Sequence, residues 1–284
     1  YFFLASFKRN TLLLPSAFFL GLTVWTYNSY RIFTPVMLVV MAVLFRDKFT
    51  EILKKTPRIF YLSLIVLSFF LLPMFFQLTN PAGRARYEKV SIIDEGTVAQ
   101  IIELRNNSSF PSYLSRILYN RPVFFIKHFI INWLSHFSPD YLFVNGGSHY
   151  QFSLPGHGLI YPLNFPLLLI GLILLIKKAL KKDKIYLFFL FWLLLAPVAS
   201  APTREAPHVL RSITLLPLPM ILTAMGFSVI SSGIKSKYKI LVFLYVGFIV
   251  LSAANYLTKY FGSYASNYSW SWQYGYKEVS AYVL

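Results

Sequence analysis

The segment APTREAPHVLRS, residues 201–212, gathers Arg204, Glu205, His208 and Arg211 between two of the most apolar stretches of the chain. Guanidinium groups so placed bind phosphate or carboxylate oxygens through paired, charge-assisted hydrogen bonds. With a helix beginning near residue 204, Arg204, His208 and Arg211 stand at i, i+4 and i+7 on one side, and Pro207 is tolerated in the first turn. Cations at a helix N-terminus oppose the macrodipole by roughly 0.3–1 kcal/mol each when exposed, so helix stability does not account for them. A bound anion does, since free backbone N–H groups and two guanidinium groups together make a phosphate site. The competing reading is punctuation at a membrane surface, in which the arginines snorkel to lipid headgroups and Glu205 pairs with one of them.

Other segments carry chemistry of lower specificity. TYNSYRIF, residues 26–33, sets Tyr27, Tyr30 and Arg31 together, as a cavity wall or as an interfacial aromatic belt with a snorkelling arginine. Asp140, His149 and His157 share one loop, where a lone aspartate is as readily a solvated or capping residue. Asp94 and Glu95, in SIIDEGTV, read either as catalytic carboxylates or as residues that start a helix. YFGSYASNYSWSWQYGY, residues 260–276, offers rings that stack on sugars or lie in a membrane interface. The five histidines form no HExxH pair and the chain has no cysteine, so disulfides, thiolate chemistry and zinc sites that need thiols are excluded and no metal motif is seen.

The elements that must position these residues follow from composition. The chain is 56% hydrophobic and 13% charged, with a mean hydropathy of +0.57, whereas about a quarter of a soluble domain is charged. Residues 10–30, 59–83, 141–176, 185–203, 212–234 and 240–258 carry no charge. About 20 apolar residues cross a bilayer as a helix, and five or six of these runs qualify. Runs such as LSLIVLSFFLLPMFF lack the alternation of a membrane β-barrel. The expected fold is therefore an all-α polytopic membrane protein.

The formal charge of +17 is concentrated in knots: Arg46, Lys48, Lys54, Lys55 and Arg58; Lys177, Lys178, Lys181, Lys182 and Lys184; Lys235, Lys237 and Lys239. Short basic loops between spans follow the positive-inside rule and favour anionic lipid, not nucleic acid, as the partner. With the knots and Lys8–Arg9 inside, seven spans alternate: 10–30, 32–45, 59–78, 160–176, 185–202, 208–232 and 240–258. This orientation places the N-terminus of the chain in the cytoplasm and its C-terminus outside. The second span is short: about 14 neutral residues reach only about 21 Å, so either the helix starts before Arg31 or it borders a thinned or cavity-facing region. Residues 79–159 form an outer loop in which 122–137 is amphipathic enough to lie along the interface as a helix, followed by an ordered Gly/Pro/aromatic loop. Residues 1–258 read as one membrane module and 259–284 as an outer tail that opens a further region. Asn-x-Ser triplets at Asn106, Asn107 and Asn267 fall outside and carry no assignment. Tyr1 is not an initiator methionine, and the chain reads as an internal piece of a longer protein.

Four blocks carry a resemblance: GLTVWTYNSYRIFTPVML, NWLSHFSPDYLFVNGGSHYQFSLPGHGLIYPLNFPLLLIGL, LLLAPVASAPTREAPHVLRSITLLPLP and WQYGYKEV. In this order, across nearly the whole chain, they resemble the bacterial members of glycosyltransferase family 39, GT-C membrane enzymes related to dolichyl-phosphate-mannose–protein mannosyltransferases and lipid A aminoarabinose transferases. The resemblance implies a GT-C-like helix bundle in a bacterial plasma membrane, a polyprenyl-phosphate sugar as donor, and an acceptor at the extracytoplasmic face whose identity is open. It implies no cofactor beyond that donor. The family's acidic catalytic base lies in the first extracytoplasmic loop, here upstream of Tyr1, and that role is not moved onto Asp94 or Glu95. Arg204, Arg211, Arg31 and His208 are then expected around the donor phosphate. Tyr27, Tyr30, Asp140, His149 and Glu205 are expected in the sugar or acceptor cavity. A transporter or flippase of a lipid-linked saccharide explains spans and cavity equally, although no pair of related halves is evident; a scaffold would not need clustered outer cations.

Overall fold

A computed structural model describes residues 1–233 and 239–283, so Lys235 and Lys237 of the third basic knot lie outside the described residues. The described residues are helical with connecting turns and a single isolated β-bridge, Ser91 to Thr203. In chain order the α-helices are α1 (Phe2–Ser6), α2 (Leu13–Thr26), α3 (Tyr30–Leu44), α4 (Arg46–Lys55), α5 (Pro57–Thr79), α6 (Pro81–Val90), α7 (Glu95–Asn106), α8 (Ser112–Leu118), α9 (Arg121–Ser135), α10 (Phe165–Leu180), α11 (Lys184–Leu195), α12 (Pro217–Gly233), α13 (Lys239–Lys259), α14 (Ala265–Tyr268) and α15 (Tyr276–Val283).

Four helical stretches are long and apolar enough to cross a membrane: Pro57–Thr79, Pro162–Leu180, Ile213–Ser232 and Ile240–Trp272. Their surfaces fit hydrocarbon: in α5, Phe69 and Phe76 are more than 70% exposed, a poor arrangement in water for rings of that size. Three shorter apolar helices, Asn10–Thr26, Tyr30–Leu44 and Lys184–Ala199, fall where the other crossings are expected. α3 starts at Tyr30, ahead of Arg31, and its 15 residues rise about 22 Å. Helix ends follow local chemistry. Pro57 opens α5 at a position that needs no donor, and the Asp183 carboxylate accepts the Ile185 amide at 3.0 Å to cap α11.

The chain forms two compact units. The first comprises Tyr1–Leu134, Lys178–Ala206 and Arg211–Leu215; the second comprises Ser135–Lys177, Pro207–Leu210 and Leu216–Leu284. In the first unit α2 packs on α5, where Phe70 lies so close that a Cβ on Gly21 would come within 2.5 Å of its ring. The Trp25 indole donates to the Phe70 carbonyl at 3.1 Å. α3 meets α11 through Phe33 against Trp192 and Phe45 against Phe188. Trp192 in turn donates to the Thr214 carbonyl at 2.8 Å, while the Thr214 hydroxyl donates to the Ala196 carbonyl at 3.0 Å. These bonds fix residues 211–215 against α11.

In the second unit α10 and α12 touch backbone to backbone. A Cβ on Gly171 would lie 1.9 Å from the Leu222 carbonyl oxygen, and one on Gly226 equally close to that of Leu167. Small residues at a crossing permit this approach in membrane helices. Residues beyond 258 belong to the second unit together with the loop after α9, because the Tyr264 hydroxyl donates to the Tyr150 carbonyl, Gln151 donates to the Ser271 carbonyl, and the Tyr150 ring meets Tyr268 and Trp270.

Candidate functional site

The expected helix from residue 204 does not form. Residues 201–212 are turns and bends, and regular helix resumes only at the 3₁₀ turn Ile213–Leu215 and at Pro217. Pro202 and Pro207 each remove a backbone donor and push the preceding alanines, Ala201 and Ala206, away from helical torsions. The segment instead pairs with the end of α6. The Ile92 amide donates to the Pro202 carbonyl at 3.1 Å and the Arg204 amide to the Val90 carbonyl at 2.9 Å. Asn132 from α9 donates to the Ala201 and Thr203 carbonyls, both at 3.0 Å. The arginines are thus held by an ordered loop, and a helix dipole plays no part in them.

That loop forms one wall of a cavity of about 360 Å³ within the first unit. The α2–α3 turn supplies Tyr27, Asn28 and Ser29, the first turn of α3 supplies Arg31, α6 supplies Tyr87 and Val90, and the loop supplies Thr203 and Arg211. Gly83 also lines it: a Cβ there would sit 2.1 Å from the Gln77 carbonyl oxygen, so the tight α5–α6 turn requires glycine. Ser29 is buried, and its hydroxyl donates to the Arg211 carbonyl at 2.6 Å, joining two walls that lie 182 residues apart in sequence.

Arg211 is largely enclosed, its side chain 12% exposed. One guanidinium nitrogen donates to the Thr203 hydroxyl at 2.9 Å and the other to the Glu205 carboxylate at 2.7 Å. Thr203 is itself oriented, its hydroxyl donating to the Ser200 carbonyl at 2.7 Å. Arg31 enters from α3 and donates through Nε to the Val24 carbonyl at 3.4 Å. Among the described residues Arg31 has no carboxylate partner. Two guanidinium groups and one carboxylate leave net positive charge in a largely apolar recess, where water screens it less than at the surface.

The other expected site residues separate. Arg204 is half-exposed and pairs with Asp94 and with the Lys89 carbonyl, away from the lining of the cavity. Asp94 caps α7 through the Thr97 amide at 2.8 Å. That bond first, and the Arg204 charge after it, hold the Asp94 carboxyl below its ordinary pKa. Asp94 therefore has a helix-starting role. Tyr30 turns its ring edge to Phe33 and does not line the cavity. Glu205 joins the cluster through Arg211.

His208, His149 and Asp140 belong to the second unit. His208 is buried there, its ring 5.3 Å from that of His149 and 5.5 Å from that of Phe152. Asp140 accepts from the Asn145 side chain at 2.6 Å and closes its own turn. His157 sets its ring against Tyr256, beside a separate recess of about 260 Å³. Sequence reasoning missed Thr203, Ser29 and Tyr87, whose residue types give no signal outside their fold.

Fold and site together define a helical chain with four helices long and apolar enough to cross a membrane and a cavity lined by Arg31 and Arg211. No family model matches the chain, and neither a curated protein nor a solved structure gives a significant match.

Proposed function

We propose that the chain is the donor-binding part of a membrane glycosyltransferase of the GT-C type, similar to family 39, which moves a sugar from a polyprenyl-phosphate carrier to an acceptor at the extracytoplasmic face. The observation that carries this reading is the cavity that Arg211 and Arg31 both line. It lies at the α2–α3 turn and the 201–212 loop, both outer-face segments when the seven apolar helices alternate under the positive-inside rule. In this reading the four long apolar helices and the three shorter ones each cross once, with the N-terminus of the chain cytoplasmic and its C-terminus outside.

The chemistry follows from charge. As the acceptor attacks the anomeric carbon, the bond to the lipid phosphate breaks and negative charge grows on the departing oxygens. Guanidinium groups fixed in a poorly screened cavity stabilise that charge more in the transition state than in the ground state. The Thr203 hydroxyl holds one nitrogen of Arg211 in place, which limits the reorganisation needed when the phosphate arrives. Tyr27 and Tyr87 offer faces and hydroxyls to the sugar.

The test uses the complete protein in lipid nanodiscs with a polyprenyl-phosphate sugar. Polyprenyl phosphate should be released in step with sugar appearing on an acceptor. Movement of intact lipid-linked sugar between leaflets, with no bond cleaved, would replace this reading by that of a flippase.

A further inference from the structure

Glu205 poses a problem for any anion site at Arg211, because a carboxylate already occupies one edge of that guanidinium at 2.7 Å. The two partners are unequal in exposure: the Arg211 side chain is 12% exposed and the Glu205 side chain 52%. A carboxylate and a phosphate present the same pair of oxygens to the guanidinium fork. We infer that Glu205 is an internal stand-in for phosphate: it neutralises Arg211 while the cavity is empty, swings towards solvent when the phosphate binds, and returns to help expel it. The inference rests on the reading of this cavity as a lipid-phosphate site.

Charges set the sense of the exchange. The donor phosphodiester carries one negative charge, as Glu205 does, so the two compete on even terms. The released monoester carries about −1.5 to −2 at pH 7 and would hold two arginines firmly. A carboxylate beside the site opposes that retention by repulsion and by competing for Arg211. Had Glu205 only oriented the arginine, its loss would weaken anion binding. As a competitor, its loss strengthens it. The two roles predict opposite signs.

The intact protein in nanodiscs is titrated with farnesyl phosphate, a soluble isoprenyl monophosphate, in four forms: wild type, Glu205→Gln, Glu205→Asp and Arg211→Gln. Glu205→Gln should bind about three- to tenfold more tightly, the range for removing a half-exposed ion-pair partner together with its repulsion, and should release the ligand more slowly. Glu205→Asp keeps the charge and should stay within about twofold of wild type. Arg211→Gln should lose most of the affinity. Unchanged or weaker binding by Glu205→Gln, with Arg211→Gln still defective, would overturn the exchange and leave the phosphate site standing. Equal binding by wild type and Arg211→Gln would overturn the phosphate site and the exchange together.

Discussion

Two clusters of opposite charges in the first unit invite comparison: the α4 cluster and the Arg211 cluster. On α4, Glu51 accepts from Lys48 at 3.0 Å and from Lys55 at 2.7 Å, while Lys184 pairs with Asp47 at 2.5 Å. Every side chain in those pairs is at least 42% exposed. Arg211 makes contacts of the same length and type, yet sits in a cavity at 12% exposure and bonds a buried threonine as well. Distance alone does not separate the two. Exposure does: water and salt reduce the α4 pairs to little beyond solubility and topology, whereas charge at Arg211 acts on whatever enters its cavity.

The largest expected effect belongs to Arg211. Loss of a charge-assisted hydrogen bond costs roughly 1.5–3 kcal/mol, and each 1.36 kcal/mol is about tenfold in rate. Arg211→Ala should lower the rate of polyprenyl-phosphate release about 10- to 150-fold, with protein levels in the membrane unchanged. Lysine should recover part of the loss, because it keeps the charge without the planar fork. A wild-type rate in Arg211→Ala would erase the contrast between the clusters.

Arg204 sharpens the comparison from between its two poles. Sequence alone ranks it equal to Arg211, but its half-exposed pair with Asp94 resembles the α4 pairs. Arg204→Ala should cost about fivefold in rate at most, and Asp94→Asn should reproduce that small loss. A loss as large as that of Arg211→Ala would return Arg204 to the cavity.

These contrasts show where the sequence is legible. Neutral runs reveal the apolar helices because burial in hydrocarbon is a property of whole segments, and a dozen residues vote on each. Asp94 reads as a possible helix start because capping is local. The convergence of Arg31 and Arg211 joins positions far apart in the chain, and only a family resemblance suggests it. The 201–212 segment misleads because helical spacing of Arg204, His208 and Arg211 is present in the letters, while Pro202 and Pro207 divert the backbone to pair with residues 90–92. Glu205 is recognisable beforehand as a partner of one arginine, but which arginine depends on that diverted path.

The α4 cluster supplies the smallest effects. Arg58→Ala and the Lys48→Ala/Lys55→Ala pair should leave the rate unchanged. The hydrogen bonds from Lys55 and Lys48 pull the Glu51 carboxyl down from its ordinary 4.5 to about 2. A depressed folded-state pKa means that the stabilisation is full above about pH 4.5, fades as pH falls and is gone near pH 2. The melting temperature of wild type should therefore approach that of Glu51→Gln over this window. A constant gap between them across it would remove the pairing from any role in stability.

The absence of cysteine from the chain allows the most direct test of the central claim, that the Arg211 cavity opens to the extracytoplasmic face and holds the lipid-linked donor. Asn28 lines the cavity and is exposed. Asn28→Cys should react with a membrane-impermeant maleimide in sealed right-side-out vesicles, and a polyprenyl-phosphate sugar should protect it in a concentration-dependent manner, with protection lost on Arg211→Gln. Labelling only after permeabilisation, or at a rate the donor does not change, would contradict the account.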